Sequence, residues 1–351
     1  MSINEKWLKD DSDVAAITIR EYLQSAGGED DVIFPPTFKN PEGKYAIDNT
    51  ETGNVCIIDT VGSQANRIEP LFKEPPYASW VPQVRIKAGT QTINLLDVGH
   101  RIADAFVRFS DLPDPIDIES AFLEHDRGNS LKLAELAPTS LIFGAWDSRG
   151  TQVKVPRVFS STIRAFNVDT LHRSAQYVPP IDYQEEGFIS ENEMEKKDNE
   201  KSPVAKVGLV HVPARGLGGI LVRGHIRRDA VLNLSTIRNY SVRDDKNELD
   251  IDKTEKLRAY LLGLTLCAAF VPLRQNLRQG CLLVRHPEKE PEVHLVSYLG
   301  KREVFVPDLS KIIKFTKNAA KDFGTTDKTI EGMFNRAKAR EAVKKAGGKK
   351  K

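Results

Sequence analysis

The stretch that most restricts the fold is residues 254–270, TEKLRAYLLGLTLCAAF, which is apolar on almost every side after its first turn. A helix that is apolar all round is stable only when other parts of the chain cover it. The sequence therefore predicts a long helix buried against a sheet. No apolar run reaches the roughly 18 residues needed to cross a bilayer, and the polar residues 1–13 do not resemble a signal peptide. We expect a cytoplasmic protein with no membrane partner.

Composition agrees with a folded chain but identifies no partner. The 351 residues are 40% apolar, which is enough for a substantial core. Lys and Arg number 51 against 49 Asp and Glu, so the net charge is only +2 and the position of the charges matters more than their sum. Cys56, Cys267 and Cys281 lie among apolar residues without C-x-x-C spacing, which predicts buried thiols and no disulfide framework.

The pattern of apolar residues predicts alternating strands and helices. Residues 54–60 indicate a buried strand, and residues 63–72 indicate a short helix that ends near Pro70. An amphipathic helix is predicted over 95–109. Further strands are predicted over 219–227, 280–285 and 293–299, and a further helix over 309–323. The element lengths are too irregular for a β/α barrel, so they favour an α+β sheet with helices on one face and long insertions.

Residues 139–146 and 151–166 are rich in β-forming residues, and the turn tetrapeptide DSRG (147–150) separates them. We predict a hairpin with a basic, exposed tip. Two segments differ from the rest in composition. Residues 182–202 are acidic and predict a solvated loop, and residues 336–351 are basic and predict a frayed helix that runs into a disordered tail. Residues 1–335 are then expected to form a single domain that contains the acidic loop.

Arginine recurs beside Gln, Asn, Ser and Gly at predicted turns, in residues 62–67, 148–152 and 274–280. Guanidinium groups bind phosphate bidentately, and amides and hydroxyls bond phosphate and ribose oxygens, so such clusters suit a sugar-phosphate chain. On the strand 219–227, alternation places Arg223 and Arg227 on one face. The alternative is that each arginine is solvated or ion-paired. The aromatic rings nearby either stack on bases or belong to the core or an interface; they are Trp146, Tyr177 and Tyr183.

Motifs for catalysis or cofactors are nearly absent from the sequence. The histidines show no H-x-x-x-H spacing, and neither G-x-S-x-G nor a P-loop occurs. The glycine cluster at 216–219 is followed by a predicted strand, although a dinucleotide loop needs a helix there. We therefore expect no cofactor and keep only a close backbone approach to a phosphate as a role for these glycines. The least favoured hypothesis for the function is a small-molecule enzyme that uses this loop.

Five blocks of sequence carry a family resemblance, and they are DTVGSQANRIE (59–69), HRIADA (100–105), LAPTSLIFGAWDSRGTQ (136–152), RSAQY (173–177) and VRGHIRRD (222–229). Together they resemble the backbone subunit of type I-G (formerly I-U) CRISPR Cascade. That subunit is a member of the repeat-associated mysterious protein superfamily.

The resemblance implies a hand-shaped protein with a modified RNA-recognition-motif (ferredoxin-like) core and a β-hairpin thumb. It also implies a protein that is not an enzyme and whose copies stack head to tail along a CRISPR RNA, a heterologous contact that gives filaments and not closed rings. The implied partners are the CRISPR RNA, target DNA through the guide, further copies of the chain and other Cascade subunits.

Matching this sequence to the family, together with the arginine clusters, gives the expected RNA contacts. They are Ser63, Gln64, Asn66, Arg67, Arg149, Gln152, Lys154, Arg157, Arg223, Arg227, Arg228 and Arg278. The main alternative is a metal-dependent endoribonuclease that uses Asp59 or Asp147, because related backbone subunits cut RNA with an aspartate. The plainer reading of both aspartates is a turn or capping carboxylate.

Overall fold

An antiparallel sheet is the framework of the chain. The computed structural model describes residues 3–38, 45–113, 116–190, 193, 203–209, 212–272 and 275–348. Its strands are β1 (Val14–Ser25), β2 (Ile47–Thr50), β3 (Gly53–Asp59), β4 (Gln83–Ala88), β5 (Gln91–Asn94), β6 (Ser110–Asp111), β7 (Ala145–Trp146), β8 (Lys154–Val155), β9 (Phe159–Tyr177), β10 (Val212–Asn233), β11 (Gln275–Arg278), β12 (Cys281–Arg285), β13 (Glu292–Ser297), β14 (Arg302–Val304) and β15 (Thr329–Phe334).

Helices connect and cover these strands. They are α1 (Val61–Ile68), α2 (Ala105–Arg108), α3 (Ile118–Asp126), α4 (Leu131–Leu136), α5 (Pro138–Phe143), α6 (Pro203–Lys206), α7 (Leu234–Arg238), α8 (Ile251–Phe270), α9 (Leu309–Phe323) and α10 (Arg336–Gly348). The α+β class predicted from the sequence is confirmed. Among the helices of the described residues, none is long and apolar enough to cross a membrane.

Within the described residues, nine strands form the main sheet. The continuous path is β11-β12-β1-β10-β9-β3-β2, and β13 pairs with β1 and with β14. A second sheet has the order β5-β4-β15-β6 and contains a parallel pair, β4 with β15. The short strands β7 and β8 pair with each other. The long hairpin of the molecule is therefore β9–β10, whose register runs from Phe159 opposite Leu232 to Tyr177 opposite Val212.

Period-2 alternation sends one face of the main sheet into the core. On β1, Ile17 and Ile19 are buried, whereas Thr18 between them is only partly buried and Arg20 is exposed. The inward residues near Ile17 pack in one apolar cluster with α8, and those near Leu23 pack in a second cluster with β11 and β12. The outward residues of β1, β10 and β9 keep part of their surface exposed. The sheet thus has a covered face and an open face.

Several predicted elements are confirmed. The buried helix is α8, and its Leu261, Leu262 and Leu264 have no exposed surface. The predicted helix over 309–323 is α9, and the strands predicted over 54–60, 280–285 and 293–299 correspond to β3, β12 and β13. The three cysteines are buried and free, as expected.

The amphipathic helix predicted over residues 95–109 is wrong. The segment forms two 3-10 turns, Leu95–Asp97 and Arg101–Ala103, and then the short helix α2. Arg101 has a φ of 54°, which interrupts a right-handed helix. The Asp104 side chain then accepts a hydrogen bond from the Phe106 N–H at 2.9 Å and caps a new helix. The apolar residues do recur at helical spacing, but the backbone conformation at Arg101 prevents one continuous helix.

The predicted hairpin around residues 147–150 is much shorter than expected. Residues 138–143 form α5 and not a strand, because Pro138 stands at the start of the helix, where its missing N–H costs nothing. Gly144, with a φ of 81°, follows its end. The hairpin that remains is β7 with β8. The second predicted strand begins at Phe159 as β9 and pairs with β10 and β3 instead.

The two unusual segments are partly described. In the acidic stretch, the Asp182 carboxylate accepts hydrogen bonds from the N–H groups of Gln184 and Glu185, and Ile189 is buried. Residues 191, 192 and 194–202 lie outside the described residues. The basic segment is helical over Arg336–Gly348, in agreement with the helix predicted at its start. Residues 349–351 lie outside the described residues.

The glycine cluster at 216–219 lies inside β10, so it is not a cofactor loop between a strand and a helix. Gly219 has a φ of +96°, and a Cβ there would lie 2.5 Å from Val32 Cγ1 and 2.9 Å from the Ile33 carbonyl oxygen. The Ile33 backbone is held close because it exchanges two hydrogen bonds with Ile220, at 3.1 and 2.8 Å. Glycine is required here by packing and by conformation.

We expect Gly219→Ala to lower the free energy of unfolding by about 1–3 kcal/mol, because it combines backbone strain with a steric conflict. Gly216→Ala is the matched control, since the nearest atom to its added Cβ is Arg173 Nε at 3.9 Å. Urea denaturation of both variants measures the difference. Equal midpoints for the two variants would contradict the requirement for glycine at 219.

Candidate nucleic-acid interface

The junction between β3 and α1 is held by the buried carboxylate of Asp59. Asp59 Oδ2 accepts hydrogen bonds from Gln64 Nε2 at 2.7 Å and from Arg67 Nε at 3.1 Å. Arg278 Nη2 lies 3.4 Å from Asp59 Oδ1. Thr60 caps α1 by accepting a hydrogen bond from the Ser63 N–H at 3.2 Å. Asp59 therefore ties α1 to the end of β3 and to the distant strand β11.

Three of the predicted RNA contacts, Gln64, Arg67 and Arg278, form hydrogen bonds within the protein and so have a structural role. Gln64 is 1% exposed, and its Oε1 accepts a hydrogen bond from the Ser161 hydroxyl at 3.0 Å. An RNA strand cannot reach Gln64 in this arrangement, so that prediction has no support from its position. Arg67 also donates to the Leu277 carbonyl of β11 at 2.7 Å, and Arg278 donates to the Ile58 carbonyl of β3 at 2.9 Å. Arg67 keeps 36% of its side chain exposed and remains accessible.

Arg228 is the second predicted contact that lies in the interior. It is 6% exposed and donates from Nε to Glu21 Oε2 at 2.7 Å and from Nη2 to the Ala269 carbonyl at 3.2 Å. Neighbouring residues of a strand point to opposite faces. Arg227 consequently lies on the open face and Arg228 on the covered one, where Arg228 forms a buried ion pair with Glu21. The position of Arg228 therefore gives no support to an RNA contact.

Arg101, which was not predicted as a site residue, connects α1 to the segment before β7. Its Nη2 donates to Asn66 Oδ1 at 3.2 Å, and its Nη1 donates to the Gly144 carbonyl at 3.3 Å. An ion pair of 2.7 Å joins it to Glu69, whose pKa is raised to about 7 by burial. Arg157 donates from Nε to the Phe143 carbonyl at 2.9 Å on the same segment. Asn66 and Arg157 are thereby brought close together.

Asp147 organises the loop between β7 and β8. Its carboxylate pairs with Arg108 and accepts hydrogen bonds from the N–H and hydroxyl of Thr151, at 2.7 and 2.9 Å. Gln152, with a φ of 66°, donates from its side chain to the Ser148 carbonyl at 2.7 Å. These bonds give the loop a fixed shape and leave Arg149 exposed at its tip.

We call the surface that these residues form the α1–loop patch, and its members are Ser63, Asn66, Trp146, Arg149, Lys154 and Arg157. Trp146 is 54% exposed, and Lys154 Nζ lies 5.0 Å from the centre of its ring. Among the described residues, Arg149, Lys154 and Arg157 have no carboxylate partner. The patch therefore combines uncompensated positive charge with an exposed aromatic ring.

The expected cationic face of residues 219–227 is divided. The β9–β10 register shifts between Val222 and His225, so simple alternation fails there. Arg223 has 64% of its side chain exposed and pairs with Asp169 at 2.7 Å. Arg227 has 20% exposed and lies over the Phe166 ring. The side chain of Tyr177 lies outside the described residues, and Tyr183 is half-buried beside the acidic stretch.

The open sheet face carries polar and aromatic residues that sequence reasoning missed, apart from Arg227. We define it by Arg20, Tyr22, Arg164, Phe166, His225, Arg227 and Asp229. The strand register places them side by side, with Arg20 opposite Asp229, Tyr22 opposite Arg227 and Arg227 opposite Arg164. The alternation of β1 would have found Arg20 and Tyr22, since both lie between buried residues.

Comparison with protein families gives a match over part of the chain. Residues 17–170 match the model of the family described as "CRISPR-associated protein GSU0053". That segment contains every member of the α1–loop patch. The comparison with curated proteins gives no match. Among solved structures, the chain is similar to a chain of a "CRISPR RNA-guided surveillance complex, pre-nicking" at 10% identity and a TM-score of 0.35, covering 89% of this chain and 90% of that chain.

Proposed function

We propose that this chain is a non-catalytic, guide-RNA-binding backbone subunit of a type I-G CRISPR Cascade complex. The observation that carries the proposal is the α1–loop patch, which holds an exposed tryptophan and three cations that have no carboxylate partner among the described residues. The match of residues 17–170 to a CRISPR-associated family supports it, because the patch lies within the matched segment. The expected ligand is the sugar-phosphate chain of a CRISPR RNA.

The chemistry of the patch suits a phosphate chain whose sequence varies. The guanidinium groups of Arg149 and Arg157 bind phosphate oxygens bidentately, and the Asn66 amide bonds ribose or phosphate oxygens. A base can replace Lys154 on the Trp146 ring, because every base has a face that stacks. Asp147 and Arg101 fix the loops beneath, so little ordering is needed when RNA binds.

The same proposal includes the partners of such a subunit. Copies of the chain would lie head to tail along the guide, pair it with target DNA and join other Cascade subunits. Within the modified RNA-recognition-motif core that this requires, the β9–β10 hairpin is our candidate for the thumb, since its strands have 19 and 22 residues. Binding without cleavage is favoured because Asp59 and Asp147, the two aspartates considered for an endoribonuclease, are buried and hydrogen-bonded within the protein.

The test is co-expression of the chain with a CRISPR array and neighbouring subunits, followed by sequencing of the RNA that co-purifies. We expect uniform spacer-plus-repeat RNA with the wild type. Arg149→Ala with Arg157→Ala is expected to weaken RNA binding at least about tenfold and to reduce its salt dependence, because two phosphate contacts are lost.

A control that removes the same amount of charge distinguishes the loss of specific patch residues from a general decrease in positive charge. Arg85→Ala with Arg127→Ala removes two exposed arginines outside the patch and should leave RNA binding unchanged. An RNA-free wild-type preparation would overturn the proposed function, and equal losses in the two double variants would overturn the assignment of the site.

A further inference from the structure

We propose that the open sheet face is a second nucleic-acid site, which holds a stretch of single-stranded nucleic acid other than the one on the α1–loop patch. The inference rests on the proposed function for the identity of the complex, but it stands on different residues. It depends on two features of the open sheet face: a carboxylate that three arginines share, and a row of three aromatic rings with a cation at each end.

The first feature is an incompletely neutralised group of arginines. Asp229 lies 3.0 Å from Arg227, 3.7 Å from Arg20 and 4.0 Å from Arg164. Arg20 also reaches Glu292 at 3.5 Å. Three guanidinium groups therefore share two carboxylates, and both Arg20 and Arg164 keep more than a third of their side chains exposed. The positive charge that remains suits phosphate groups, and each arginine still has donors free for them.

The second feature is a row that crosses three strands and reaches the loop after β12. Lys289 Nζ lies 5.5 Å from the Tyr22 ring, which lies 5.5 Å from the His225 ring. The His225 ring stacks on the Phe166 ring at 4.5 Å. The Arg227 guanidinium lies 4.7 Å from the centre of the Phe166 ring and ends the row. Burial, together with Arg227 and Lys289, lowers the pKa of His225, so its ring is neutral at neutral pH and stacks without adding charge.

Single-stranded nucleic acid matches both features at once. A base that inserts between Arg227 and Phe166, or between Lys289 and Tyr22, replaces a cation–π contact with base stacking and frees the cation for the adjacent phosphate. A protein partner could pack against the aromatic rings, but it has no phosphate groups to neutralise the excess charge of the arginines. At the Lys289 end, a cavity of about 400 Å³ has room for a nucleotide, and Glu29 and Asp30 on its wall can accept hydrogen bonds from base amino groups.

The probes are fluorescein-labelled dodecamers of oligo(U) and oligo(dT), titrated onto the RNA-loaded, full-length complex. We expect Tyr22→Leu with Phe166→Leu to weaken probe binding at least about tenfold while the co-purified guide is unchanged, because two stacking rings are lost. Arg20→Gln with Arg164→Gln changes only exposed groups. It should reduce the slope of log affinity against log salt by about 2 without altering the thermal midpoint. Val231→Ala, on the same face but without charge or ring, is the control and should bind as the wild type does.

The outcomes separate the two sites. Loss of probe binding with guide retained supports a second site, and a preference for oligo(U) over oligo(dT) identifies RNA as the strand. A wild-type complex that binds neither probe overturns the inference, whereas the guide content still reports on the proposed function. Unchanged binding in both double variants also overturns it.

Discussion

Replacing Asp59 with alanine is expected to lower the free energy of unfolding by about 3–5 kcal/mol, the cost of removing one partner from a buried charge cluster. Asp59 is 1% exposed and is the shared acceptor for Gln64, Arg67 and Arg278. Without it, the Gln64 amide is left buried with one donor unpaired, and β11 loses its charged contact with β3. Urea denaturation followed by circular dichroism measures the loss.

Asp169→Asn is the control for Asp59→Ala. Asp169 also pairs with an arginine at 2.7 Å, but both side chains are more than half exposed, so we expect a change below about 1 kcal/mol. The same experiment separates the scaffold from the endoribonuclease alternative. A catalytic Asp59 predicts a folded variant that binds RNA and no longer cuts it. A stable Asp59→Ala protein would contradict the structural role assigned to this carboxylate.

Strong local patterns in the sequence predicted their elements correctly. Helix α8 was predictable because nearly every side of residues 254–270 is apolar, and α9 because its apolar face repeats at helical spacing. The run TSLIF before Gly144 was predicted as a strand but forms α5, because short apolar runs fit a strand or a buried helix equally well. The proline at its start was the available signal for a helix.

The candidate site was harder to predict because long-range contacts decide which polar residues are free. Arg278 meets Asp59 across 219 positions in the sequence, and no local pattern indicates that pair. Alternation shows that Arg227 and Arg228 point to opposite faces, but it does not show which face the rest of the chain covers. Tyr22 and Phe166 join one row only through the register of β1, β10 and β9. Local turn chemistry, by contrast, correctly indicated the exposed tip at Arg149.

Arg228→Leu is the second substitution with a large expected effect, a loss of about 3 kcal/mol, because it leaves Glu21 buried with only the exposed Arg285 beside it. Burial alone would raise the pKa of Glu21, but Arg228 and Arg285 outweigh it, and the pKa is lowered from its ordinary value of 4.5. The wild-type pair therefore contributes stability above pH 4.5 that is lost as pH falls through the lowered pKa. This pH dependence should be weaker in Arg228→Leu.

The double variant Glu21→Leu with Arg228→Leu decides whether the pair is needed for stability. Both positions face the covered side of the sheet, near Leu23 and Ile226, so two leucines can pack where the ion pair lies. We expect the double variant to recover to within about 1 kcal/mol of the wild type and to lose the pH dependence that Glu21 contributes. Urea midpoints at pH 7 and pH 4 measure both effects. A double variant as unstable as Arg228→Leu would mean that the hydrogen bond from Arg228 to the Ala269 carbonyl, which fixes the end of α8 against β10, is the contact that matters.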